Sequence, residues 1–223
     1  QKSLQELIKN KLTTVQRLEL SSDYITEGHA LKGVLKADME NIRSTMEKID
    51  YNTFEDVVNN IFAAKRIYII GLRSSMALAE FLGFYLNIIL QNVKTVGYGI
   101  SDIFEQMINV GEGDLVIGIG FPRYASRTID ALAFAQDRGA TVVAVTDSFL
   151  SPLAARADYS LIAQSNMASF VDSLVAPLSV INALIIAVGM REKENISSTF
   201  NSLEEIWREY NVYSYNNRNV GDD

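Results

Sequence analysis

Residues 114–128 read D-L-V-I-G-I-G-F-P-R-Y-A-S-R-T, an almost unbroken apolar run that ends on Gly118 and Gly120 and passes into a helical pattern near Ser126. A strand with apolar side chains on both faces needs cover on both, which a parallel sheet between two helical layers supplies. A second stretch has the same form: R-I-Y-I-I-G-L-R-S-S leaves a strand at Gly71 and opens a helix after Ser75. In an open parallel sheet ligands sit at the mouths of such strand-to-helix turns. One turn carries Gly71, Arg73, Ser74 and Ser75, and the other Gly120, Arg123, Tyr124 and Ser126. Two guanidiniums, several hydroxyls and the free N–H groups of two helix starts suit a phosphate or another small anion, a carboxylate included.

The alternation continues along the chain. Strands are expected at residues 66–70, 93–98, 114–120, 141–146 and 158–163, with helical patterns between them. That order predicts an α/β fold: a three-layer, doubly wound, five-stranded parallel sheet with extra N-terminal helices. Residues 3–20 form an amphipathic pattern, and Ser21, Ser22 and Asp23 break it. From Thr26 onward Leu31, Leu35, Met39, Ile42, Met46 and Ile49 recur at near-heptad spacing, expected to face the domain core rather than a partner helix. Thr53, Glu55 and Asp56 suggest a capped helix start running to Ala64. After the fifth strand come a polar loop at 164–168, an apolar helix at 169–190 and an amphipathic helix at 198–210. Pro177, Ser179 and Asn182 interrupt the apolar helix and argue against a membrane span.

Composition narrows the chemistry. Cysteine is absent, which removes thiol nucleophiles and zinc–thiolate sites and fits a reducing, cytoplasmic setting. The single histidine, His29, stands far from both turns, so no metal site built on imidazoles is expected, and no cofactor is expected either. A net charge of −7 opposes nucleic-acid binding by the bulk of the chain. Lys2, Lys9, Lys11 and Arg17 give the first helix a basic excess, which reads as a solvated face.

The segments G-L-R-S-S, F-P-R-Y at 121–124, D-R-G-A at 137–140 and T-D-S-F-L-S-P-L-A-A-R-A-D at 146–158 resemble the sugar isomerase (SIS) domain, in particular the effector-binding half of RpiR-type transcriptional regulators. The resemblance implies a flavodoxin-like SIS fold over residues 53–212, a linker helix at 21–52 and a flexible tail at 213–223. Residues 1–20 would be the last helix of an N-terminal helix-turn-helix domain lying outside this chain. SIS turns usually read G-x-G-x-S and S-x-S-G-x-[ST], holding a phosphosugar through hydroxyl and N–H groups. Here Gly71 and Ser75 match the first turn, with Arg73 in place of its second glycine. In the second turn Gly120 and Pro122 replace serines, Arg123 the glycine and Ala125 the hydroxyl.

The function so implied is a sensor without catalytic residues, in which a phosphosugar-like anion alters a homodimer or homotetramer and, through it, DNA binding by the N-terminal domain. The alternative is an aldose–ketose phosphosugar isomerase, which needs an acid–base pair drawn from Glu80, Glu192, Glu194 and His29. A nucleotide-binding reading ranks last, since Tyr98 stands where an acidic residue is needed at the end of the second strand.

Overall fold

The computed structural model describes residues 13–21 and 30–214. His29, the first twelve residues and the tail from residue 215 lie outside them. The sheet is parallel throughout, in the order β2-β1-β3-β4-β5. Its strands are β1 Ile67–Gly71, β2 Val93–Val96, β3 Leu115–Ile119, β4 Thr141–Thr146 and β5 Tyr159–Ile162. The helices are α1 Thr14–Ser21, α2 Ala30–Lys48, α3 Tyr51–Ala63, α4 Met76–Leu90, α5 Ile103–Gln106, α6 Ser126–Gln136, α7 Val175–Arg191 and α8 Lys193–Glu209.

The side chains of β1 divide by parity, as a pleated strand requires. Ile67 and Ile69 join one core with Val57, Leu82, Leu86 and Leu184 from α3, α4 and α7. Tyr68 and Ile70 join a second core with Ile103, Met107, Leu132 and Ala135 on the side of α5 and α6. Every residue of β1 and β3 is buried, whereas β2, at the sheet edge, exposes Lys94 and Thr95. A charged side chain on an edge strand discourages pairing with another chain. Behind the sheet, Asp114 is buried and accepts bonds from Arg66 at 2.8 and 3.1 Å and from the Gly111 N–H at 3.0 Å, which fixes the loop entering β3 against the start of β1.

Several element boundaries differ from the sequence reading, for identifiable reasons. The α3 helix starts earlier than expected because Asp50, not Thr53, caps it: Asp50 accepts from the Thr53 N–H at 2.9 Å and hydroxyl at 2.6 Å. Those bonds hold the Asp50 carboxyl below its ordinary range. The apolar helix starts at Val175 rather than at Ser169. Pro177 is tolerated only in a first turn, and six further helical residues before Val175 would place it in the interior. The residues so released run as an irregular segment in which the Ser173 hydroxyl donates to Asp38 at 2.6 Å.

The long helix α2 does not bury its heptad stripe. Leu31, Leu35, Met39, Ile42 and Met46 are exposed, so the expectation of core packing fails for this face. The helix is held instead by its polar side. Asn41 forms a two-way amide contact with the backbone of Asn166, at 2.9 and 3.1 Å, and the Thr45 hydroxyl accepts from the Gln164 N–H at 2.8 Å. Both side chains are buried, and a backbone donor stranded there is more costly than an exposed one. Thr45→Val keeps the shape and removes the acceptor. It is expected to lower unfolding stability by about 1–3 kcal/mol in urea titration, with little change in the slope of the transition.

Candidate functional site

Strands β1 and β3 are neighbours, paired from Ile67↔Leu115 to Gly71↔Ile119, yet the chain leaves them for opposite faces of the sheet, to α4 and to α6. The crossovers therefore part at the carboxyl ends of these strands and leave a crevice. A cavity of about 580 Å³ lies there, walled by the two turns, by α1 and by the irregular segment before α7.

The first turn is a short 3-10 turn, Arg73–Ser75, followed at once by α4. Gly71 shapes this turn from behind: a Cβ at Gly71 would lie 2.6 Å from the Ser75 carbonyl oxygen. In the second turn the Gly120 N–H donates to the Val145 carbonyl at 3.1 Å, extending the sheet by one bond. The Tyr124 hydroxyl donates to Asp147 at 2.7 Å. Among the described residues no side chain caps α4 or α6; at α4 the preceding turn uses the Ser75 and Met76 N–H groups, which donate to the Leu72 and Arg73 carbonyls.

Arg73 and Arg123 share an unusual backbone. Their φ angles are +59° and +66°, in the left-handed region where a side chain costs roughly 1–2 kcal/mol. These are the two positions at which the SIS pattern has glycine, the residue that takes such angles freely, and here each carries a guanidinium instead.

The third wall comes from far away in the sequence. Arg17 of α1 is only 2% exposed, and its Nη1 donates to Asp172 at 2.9 Å. Arg123 in turn donates to the Thr14 hydroxyl at 2.6 Å, so α1 is tied to both sides of the opening. Burial pushes the Asp172 carboxyl above its ordinary range, against the opposing pull of Arg17 and, more weakly, of Arg123. Two buried polar atoms of lining residues, Nε of Arg17 and the hydroxyl of Thr128, have no hydrogen-bond partner among the described residues. Buried groups of this kind are normally satisfied, which sets these two apart on this wall.

Of the residues expected from sequence, Arg73, Ser74, Ser75, Gly120, Arg123 and Tyr124 line this cavity. Gly71 and Ser126 do not: Gly71 closes β1 beneath the turn, and Ser126 is exposed at the start of α6. The sequence reading missed Arg17, Thr128 and Asp172. Arg17 reads as part of a solvated face, and only the folded chain buries it. Asp172 falls in a stretch that reads as helix. Thr128 carried a usable signal, since it lies three residues after Ala125, the position where the SIS pattern has a hydroxyl, on the same side of a helix start.

The SIS domain model matches residues 60–187 of the sequence. The chain belongs to the SIS domain family. The sugar isomerase domain of an RpiR transcription factor from Sphaerobacter thermophilus superposes with a TM-score of 0.76 at 30% identity, over 79% of this chain and 99% of that one. NanR of Vibrio vulnificus, solved in complex with ManNAc-6P, shares the fold at a TM-score of 0.70 and 18% identity, over 88% of this chain and 74% of that one. An uncharacterised HTH-type transcriptional regulator of Haemophilus influenzae is 28% identical over 182 residues, which are 80% of this chain and 62% of the relative. The chain therefore spans about three-fifths of the length of that curated relative. Its similarity is to the RpiR regulators within the family, as the sequence motifs imply.

If the arginine corners are kept at a conformational cost, removing one relieves it. Arg73→Gly is expected to raise unfolding stability by roughly 0.5–1 kcal/mol, the left-handed penalty less the added freedom of the unfolded glycine. A loss of stability in chemical denaturation contradicts that account of the turn.

Proposed function

We propose that this SIS domain is the effector-binding part of a transcriptional regulator and that the cavity at the switch point takes a phosphosugar or a related small anion. The observation that carries the reading is the convergence of Arg17, Arg73 and Arg123 on one cavity into which two helix starts also open. Against three guanidiniums the lining holds one carboxylate, Asp172, so the balance favours a doubly charged anion such as a phosphate monoester. Ser75, Ser74 and Thr128 supply hydroxyls beside those charges. The regulator relatives, and the sugar phosphate bound by NanR, support the same class of ligand.

An isomerase has less support. Glu80 is exposed on α4 and borders a separate shallow depression with Gly83 and Thr95. Glu192 closes α7 some 25 Å of helix away from the end that reaches the cavity. Glu194 and His29 lie outside the described side chains. The cavity's own carboxylate is engaged by Arg17, which leaves no free base beside a bound sugar among the described residues.

In this reading the ligand acts by favouring one arrangement of an oligomer, which an N-terminal DNA-binding domain then reports; a ligand with equal affinity for both arrangements shifts nothing. Two apolar surfaces support self-association: the exposed stripe Leu31, Leu35, Met39, Ile42 and Met46 on α2, and a groove of about 690 Å³ between α4, α7 and α8 that includes Phe84, Ile186 and Met190. Light scattering is expected to return a dimer or tetramer, and Met39→Glu to lower its association; a monomer at all concentrations removes this part of the reading.

The binding test is calorimetric titration with hexose and hexosamine 6-phosphates beside the same sugars unphosphorylated. The phosphorylated form is expected to bind at least about tenfold tighter, and Arg123→Ala to weaken it by about tenfold or more, the worth of one charge-assisted hydrogen bond. Equal binding of charged and neutral sugars ends the reading.

A further inference from the structure

Arg17 reaches the cavity from α1, which neither the sheet nor its turns place there. It is buried although its neighbours Thr14, Val15, Gln16 and Glu19 on α1 are all exposed. Burying a guanidinium is costly unless its donors are used, and here one is not. Nη1 bonds to Asp172, while Nε stays without a partner among the described residues. The partner it has comes from the opposite wall, 155 residues away in sequence.

We propose that Arg17 is a ligand-contacting residue and that Asp172 is its resident counter-anion, displaced when a phosphate group enters the cavity and takes the Arg17 donors. The inference rests on the anion-binding reading above and adds which residue of α1 touches the ligand and what it exchanges. The carboxylate oxygen of Asp172 already occupies a position that suits a phosphate oxygen. A phosphate offers more acceptors in the same fork geometry, enough to engage Nε as well. Arg123, which bonds Thr14 of the same helix, faces the same cavity, so an anion held between Arg17 and Arg123 contacts α1 through one side chain and competes for its second tie. In the structure α1 is held to the domain by Asp172 and by Arg123. With ligand bound it is held by the ligand. That exchange gives α1 different contacts in the two states, as any ligand-driven shift demands.

Two substitutions separate this role from a merely structural one because they act in opposite directions. Arg17→Ala removes a ligand contact. Asp172→Asn removes a competing negative charge and leaves Arg17 in place. Inorganic phosphate and glucose 6-phosphate serve as probes in calorimetric titration of the chain, with circular dichroism melts to show that each variant is folded. Arg17→Ala is expected to weaken binding by about tenfold or more, Arg17→Lys by less, and Asp172→Asn to tighten it by several-fold up to about tenfold. The double variant is expected to bind like Arg17→Ala alone, since Asp172 acts through Arg17. If both single variants leave affinity unchanged, or shift it in the same direction, while Arg123→Ala weakens it, the cavity binds anions and the role given to Arg17 is wrong. Where Arg17→Ala does not fold, Asp172→Asn decides alone, and no gain in affinity overturns the inference. A wild-type chain that binds neither probe overturns this inference and the anion-binding reading together.

Discussion

The pairing of β1 with β3 is the constraint from which the site follows. Five consecutive parallel pairs bring Gly71 beside Ile119, so the two strands end level and their turns emerge side by side. Because one chain turns toward α4 and the other toward α6, nothing of the sheet's own crossovers fills the space between them. A strand order in which β1 and β3 were separated would place Arg73 and Arg123 in different crevices. The meeting of Arg73 and Arg123 at one cavity depends on this adjacency.

Holding three guanidiniums around one small space is unfavourable without a counterweight, and the chain supplies one in Asp172. The upward displacement of its carboxyl by burial shows that the counterweight is itself held at some cost. The two corner arginines add backbone strain to this electrostatic load. Strained positions persist where the surrounding structure over-determines them, and here fully buried strands lie directly beneath both turns. A well-packed parallel core thus carries a strained and highly charged rim.

Polar contacts tie the N-terminal helices to this core. Asn41, Thr45 and Asp38 hold α2, and Arg17 and Thr14 hold α1. Such directional contacts fix a helix while leaving its apolar residues outward, as the exposed stripe of α2 illustrates. Heptad spacing in the sequence established that an apolar face exists. It carried no information on whether that face turns to the same chain, because the polar residues that decide the orientation pair with a loop more than a hundred residues later.

The five strands and the two glycine-ended turns with their arginines are legible in the amino-acid order, since alternation, continuous apolar runs and turn residues are local signals that act within a few positions. That order also led to the SIS family through those same turns. The burial of Arg17, its pairing with Asp172, the start of the apolar helix after residue 174 and the place of Gly71 and Ser126 outside the cavity emerge from the folded chain alone. The physical reason is range. Backbone propensity and side-chain periodicity are written in neighbouring residues, whereas the burial of a charge depends on which distant segment supplies its partner, and that is settled when the chain closes on itself.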